Sequence, residues 1–245
     1  MTRRCRKKTR EAETAVPIDL ICLDADDTLW SHESFFQDAA RRYRDLLTPF
    51  ADAERIEARL AEAETRNLHI YGYGVKGFTL SMLETALEIA GDALPARVVK
   101  EALDIGRGLM RHPIAPLPGV EATLPLLAAQ ARLVLVTKGD LFHQESKLAA
   151  SGLGEHFAGV EIVSDKTAAI YARIFARYGA APARAVMAGN SLRSDVWPAL
   201  EAGAFAVHIP QEYEWAHERA ETPENEPRFA RLAALAELPE WLARR

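Results

Sequence analysis

The chain has 245 residues, 49% of them hydrophobic and 27% charged, with a formal net charge of -5. These are globular proportions with room for a sizeable core, and the acidic balance excludes a surface built chiefly for nucleic acid. The two cysteines, Cys5 and Cys22, exclude a disulfide framework or a cysteine zinc site and fit a reducing cytoplasm.

In chain order, residues 1–17 begin "MTRRCRKKTR", with six Lys or Arg and no apolar run behind them. The segment reads as a disordered, solvated basic tail rather than a secretory signal or membrane span, with a polyanion-binding arm as its functional alternative. "IDLICLD" then reads as a buried strand that ends in three carboxylates, Asp24, Asp26 and Asp27. Residues 33–110 follow with helical periodicity and no convincing strand, far too long for an ordinary strand-to-helix loop. They are expected to form a helical insertion that leaves the sheet where the first strand ends and covers that edge as a cap. Inside it, "GYGVKG" has the spacing of a dinucleotide-binding loop but no strand before it, so it reads as a turn between helices. The same turn gathers His69, Tyr71, Tyr73 and Lys76, of which Tyr73 and Lys76 are candidate substrate contacts.

From residue 111 the rhythm changes. "RLVLVTK", "GVEIVSD", "AVMAGN" and "AFAVHIP" are short apolar runs separated by helix-length segments, as in a doubly wound parallel α/β sheet. With residues 18–32 they make a single core, 111–245 being its second part. Ligands of such sheets sit outside the carboxyl ends of the strands, so the carboxylates after the first strand mark the expected site. Crowded carboxylates repel one another and favour a cation or a shared proton. A bound Mg²⁺, which takes a few carboxylates plus phosphate oxygens and water, supplies the cation. One carboxylate can then attack phosphorus while the other moves protons.

"DADDT" resembles the D-x-D-x-T signature of the haloacid dehalogenase-like hydrolases, and three later segments resemble that family's remaining motifs in order. Thr137 closes "LVLVT", Lys166 lies in "IVSDKT", and "GNSLRSD" is similar to G-D-x-x-x-x-D. The resemblance implies a Rossmann-like core with an inserted helical cap, and a Mg²⁺-dependent phosphatase acting on a small phosphorylated metabolite through an aspartyl-phosphate. It implies Asp24 as nucleophile and metal ligand, and Asp26 as acid/base and metal ligand through its carbonyl. Thr137 would orient the phosphoryl group and Lys166 balance its charge. Thr28 would tie down the turn, and Asp27, where Gly is frequent, would face away as a cap or turn residue.

The fourth motif departs from the family, since Asn190 replaces the first acid. Asn190 would offer the metal a neutral amide oxygen, leaving the anionic support to Asp195. Lys138, following Thr137, is a candidate to grip phosphate or pair with Asp140. Lys147 is a reserve for the Lys166 role, read otherwise as helix decoration. His32 reads as a solvated loop histidine, and "EYEWAHE" as packing and surface cover. Two alternatives to the phosphatase stay open: a phosphomutase of the same fold, and a non-catalytic phospholigand-binding or regulatory protein.

Overall fold

Six strands pair in parallel in the computed structural model, which describes residues 17–245; the basic segment 1–16 lies outside the described residues. In chain order the strands are β1 (Leu20–Leu23), β2 (Arg132–Lys138), β3 (Gly159–Val163), β4 (Ala185–Gly189), β5 (Phe205–His208) and β6 (Phe229–Arg231). Their order across the sheet is β3-β2-β1-β4-β5-β6. This is the doubly wound parallel sheet expected from the apolar runs. The three-residue β6 lies beyond the last strand expected from the sequence.

The alternation of side chains along β1 explains why it is apolar throughout. Ile21 and Leu23 face one layer, where Val120, Leu124, Leu235 and Leu238 cover them. Leu20 and Cys22 face the other, under Tyr171, Ile174, Phe175 and Val196. A strand buried on both faces has no position for a polar residue until it ends. It ends at Asp24, whose N–H still bonds to Ala188 O of β4 at 3.0 Å. The chain winds outward through β2 and β3, then crosses back to β4 on the other side of β1. The switch point therefore lies between β1 and β4, where a crevice opens beyond the strand ends.

Between β1 and β2 the chain forms α1 (Glu33–Leu47), α2 (Ala53–Tyr71), α3 (Val75–Ala90), α4 (Ala96–Met110) and α5 (Val120–Ala128). The first four share a core of their own, with Tyr43, Leu47, Ile56, Met82, Val98 and Ala102 fully buried among them. Tyr43 Oη donates to Met82 O at 2.5 Å within it. The turn from α2 to α3 runs through Gly72 and Gly74 at φ 73° and 113°, conformations that glycine adopts without steric cost. Helix α3 starts at Val75, so Lys76 sits in a helical first turn rather than on the loop expected from the sequence.

Asp27 joins β1 to this helical unit. Its φ is 57°, and its carboxylate accepts from His32 N at 2.7 Å and Glu33 N at 2.9 Å, tying the first turn of α1. Asp27→Ala should lower stability by about 1–3 kcal/mol, through lost capping and an alanine forced into the left-handed region. Asp27→Gly loses the capping alone and should recover about 1 kcal/mol of that. Urea unfolding followed by circular dichroism checks this; equal losses in the two variants contradict the account of Asp27.

Candidate active site

Four segments deliver their side chains to one crevice because four parallel strands end there. Asp24 follows β1, Thr137 stands near the end of β2, Lys166 follows β3, and Asn190 and Asp195 follow β4. Gly189 lets the last group approach: a methyl in place of its hydrogen would run into the Asp195 carboxylate and lie 2.9 Å from Asp24 Cβ.

Lys166 bridges the two buried acids, with Nζ 2.5 Å from Asp24 Oδ1 and 2.6 Å from Asp195 Oδ1. Burial alone would drive the lysine pKa down, but the Asp195 and Asp24 carboxylates outweigh it and raise it, so the side chain stays an ammonium. Burial pushes the Asp24 carboxyl up, aided by Asp195 and opposed by Lys166. Asp195 is filled from both sides, since its Oδ2 accepts from Ser191 N at 3.0 Å. It holds Lys166 through one oxygen and the start of the π-helical turn Leu192–Val196 through the other. Asp195, the acid expected beside the metal, also pairs with Lys166.

Asn190 stands in the other direction from Asp24. One terminal atom of its amide lies 3.2 Å from both Asp24 Oδ2 and Asp26 O. With nitrogen there it donates to both; with oxygen there, a carboxylate, a carbonyl and an amide oxygen converge, which is a cradle for a hard cation. The donor set fits Mg²⁺. It does not fit zinc, and among the described residues no group of three or more His, Cys, Asp or Glu side chains is arranged to hold a metal.

Asp26 has a cation of its own. Lys147 of α6 (Leu141–Ser151) places Nζ 2.5 and 2.7 Å from its two oxygens, while Trp30 Nε1 donates to Oδ1 at 2.7 Å. Gln144 on the same helix donates to Asp26 Oδ2 at 3.1 Å, to Thr137 Oγ1 at 2.5 Å and to Lys138 O at 2.8 Å. Burial raises the Asp26 pKa, but the pull of His32 and Lys147 and the bonds from Lys147 and Trp30 outweigh it and put it below the usual carboxylate range. His32 is itself held at about 4, chiefly by burial. It is therefore neutral near pH 7, which leaves Lys147 as the fixed positive charge.

Several sequence expectations change here. Lys147 does not decorate a helix: its side chain is 4% exposed and engages Asp26. His32 is a site residue, with Nδ1 3.7 Å from Asp26 Oδ1. Lys138 does not pair with Asp140. Its Nζ lies 2.6 Å from Glu218 Oε1, 2.7 Å from Ser194 Oγ and 3.9 Å from the centre of the Tyr73 ring. Asp140 takes Lys76 instead, at 2.7 Å, and Lys76 is outside the cavity lining. The stretch "EYEWAHE" is also more than surface cover, since Tyr213, Trp215 and Glu218 line the cavity. Burial opposes the ionisation of Glu218, yet Lys138, Ser191 and Ser194 outweigh it and lower its pKa. A sequence signal for these residues existed only in α6, whose buried face is His143, Gln144, Lys147 and Ser151, a polar stripe at helical spacing where an apolar one is usual.

Together these side chains line a cavity of about 200 Å³ between the strand ends and α1, α2 and α3. It holds a carboxylate beside a buried ammonium, a second carboxylate clamped by its own lysine, a hydroxyl and a cradle of oxygens. That set can attack an electrophile, transfer a proton and bind an anion.

Known proteins place the chain. The family model for haloacid dehalogenase-like hydrolases matches residues 18–203. A haloacid dehalogenase-like family hydrolase from Xanthomonas campestris is 37% identical, with a TM-score of 0.83 covering 93% of this chain and 91% of that one. A phosphoserine phosphatase from Thermus thermophilus is 29% identical over 241 residues, 85% of this chain and 93% of the relative. The 2-haloacid dehalogenase of Pseudomonas syringae shares the fold at 23% identity, with a TM-score of 0.61 over 93% of this chain and 99% of that one. The chain belongs to the haloacid dehalogenase-like hydrolases.

Proposed function

We propose that the protein is a Mg²⁺-dependent phosphatase that hydrolyses a small phosphate monoester through an aspartyl-phosphate on Asp24. The observation that carries the reading is the pair of carboxylates at the end of β1, each held by its own lysine. Halide leaves a haloacid without needing a proton, whereas an alkoxide leaving phosphorus does need one, so Asp26 favours ester hydrolysis. The relative named as a phosphoserine phosphatase supports the same chemistry.

In the first step an oxygen of Asp24 bonds to phosphorus as the ester P–O bond breaks, and the departing oxygen takes a proton from Asp26. In the second, water attacks the same phosphorus, Asp26 accepts its proton, and the bond from phosphorus to Asp24 breaks, releasing phosphate. As found, Asp26 is an anion and suits the second step. The proton for the first can arrive with the substrate, since a phosphate monoester ionises a second time near pH 6. The negative charge it brings also raises the proton affinity of Asp26. Lys166 offsets charge on Asp24 and the phosphoryl oxygens, and Thr137, fixed by Gln144, offers a hydroxyl that orients them. Asp24 Oδ2, Asp26 O and the Asn190 side chain would hold Mg²⁺, which supplies electrostatic stabilisation of the phosphoryl group. Helices α1 to α4, residues 33–110, act as the cap that keeps bulk water from the intermediate.

Asp24→Asn should abolish phosphate release while leaving the fold intact. Asp26→Asn should slow an alkyl phosphate by roughly 10²–10⁴-fold and an activated aryl phosphate much less. Equal losses on both esters remove Asp26 from leaving-group protonation.

Lys147→Met removes the cation that depresses the Asp26 pKa, so that pKa must rise. The acid limb of the kcat/KM profile should move up by about 1–3 pH units. A limb that stays in place assigns it to another group.

Magnesium titration of activity tests the cradle. Asn190→Asp should lower the concentration needed for half-maximal rate and Asn190→Ala should raise it. No change in either variant places the metal elsewhere.

A further inference from the structure

Asn190 owes its place to a residue that takes no part in the phosphoryl transfer. It follows β4 directly, and the residues on either side of it are pinned. Gly189 stays in the sheet, its carbonyl accepting from Ile209 N at 2.9 Å. Ser191 N donates to Asp195 Oδ2 at 3.0 Å, and Ser191 Oγ donates to Glu218 Oε2 at 2.5 Å. The carbonyl of Asn190 meets His208, the last residue of β5, whose Nε2 lies 2.9 Å away. A carbonyl oxygen can only accept, so Nε2 carries the hydrogen and donates it.

Packing does not call for a histidine at this position. Strand β5 lies between β4 and β6, and His208 is flanked by Gly189 on one side and Arg231 on the other. Ala206, two residues earlier and so on the same face, packs in a layer with Leu192 and Val196. An apolar side chain would continue that face. His208 is instead buried, and its Nδ1 is enclosed with no hydrogen-bond partner among the described residues. An unpartnered buried nitrogen is destabilising. A side chain that carries this cost where an apolar one would pack points to a task for its other nitrogen, which is the one on Asn190.

We propose that His208 is a positioning residue for the metal cradle: by holding the Asn190 carbonyl from the β5 side, it aims the Asn190 amide at Asp24 Oδ2 and Asp26 O. The inference rests on the Mg²⁺ cradle of the proposed function. The terminal atom of that amide stands 3.2 Å from both oxygens. An aspartate in this place would be drawn to a cation by its charge. A neutral amide has far less attraction of its own, so its contribution depends on being held where the cation sits. The histidine on the neighbouring strand therefore compensates for the missing charge at residue 190.

Mn²⁺, which suits the same oxygen ligands as Mg²⁺, is the probe. Free Mn²⁺ is counted by electron paramagnetic resonance as the full chain is titrated without substrate, and Mg²⁺ is then added to displace the bound ion. The unaltered protein should bind Mn²⁺ that Mg²⁺ displaces. His208→Leu should weaken binding by about 10–100-fold, as loss of an outer-shell partner does. His208→Gln, whose amide nitrogen can take the place of Nε2, should recover most of that loss. In an Asn190→Ala background His208→Leu should weaken binding no further, because the side chain it aims is gone. Thermal melting of each variant reports folding separately, and His208→Asn, too short to reach the carbonyl, replaces His208→Leu if the latter does not fold. Undiminished Mn²⁺ binding in His208→Leu, no recovery in His208→Gln, or an equal loss in the Asn190→Ala background overturns the proposal and leaves the metal reading standing. An unaltered protein that binds no Mn²⁺ overturns both.

Discussion

The buried ammonium of Lys166 is the constraint on which the site depends. Asp24 and Asp195 come from the ends of adjacent strands and are both almost wholly removed from water. Two carboxylates brought this close would drive their strand ends apart, or one would protonate, without a cation between them. Lys166 comes from the far side of β2 to supply it, which fixes the ends of β1, β3 and β4 relative to one another. Gly189 is required by the same crowding. A group held so tightly is also preorganised: one positive charge is already in place beside Asp24, at no cost in reorganisation, where the proposed mechanism brings a phosphoryl group.

Asp26 repeats the device with different supports. Lys147, Gln144 and Trp30 surround its carboxylate, and Gln144 links it to Thr137 and to the backbone at Lys138. Helix α6 thus positions both Asp26 and Thr137, which on the proposed mechanism are the proton-transfer group and the hydroxyl that orients the phosphoryl group. On the opposite wall, Glu218 gathers Lys138, Ser191 and Ser194 into one network. Lys138 is therefore paired with an acid before any substrate enters.

Much of the core was legible because parallel strands buried on both faces leave continuous apolar runs, as "LICL" and "RLVLVTK" do. The edge strand Phe229–Arg231 was not legible because two half-buried residues and an exposed arginine carry no such pattern. Asp24 could be read from its place after an apolar run, and Thr137 and Lys166 from the resemblance of their segments to the family's motifs; the structure brings all three into one crevice. Lys147 could be read only as a reserve for Lys166, and neither it nor Gln144 could be tied to Asp26, because a polar stripe on a helix does not name its partner and Asp26 lies 121 and 118 residues away. The same holds for Trp215 and Glu218, which lie in an irregular segment without periodicity. Asn190 was visible as a departure, but its role beside Asp24 Oδ2 and Asp26 O follows from geometry alone.

The central claim is that Asp24 becomes covalently phosphorylated during turnover. Rapid acid quench of the enzyme with Mg²⁺ and radiolabelled acetyl phosphate, followed by mapping of the labelled peptide, tests it directly. The account predicts a transient, acid-stable and hydroxylamine-sensitive label confined to the peptide containing Asp24, absent from Asp24→Asn. Phosphate release with no protein-bound label at any quench time, or a label on another residue, would contradict it.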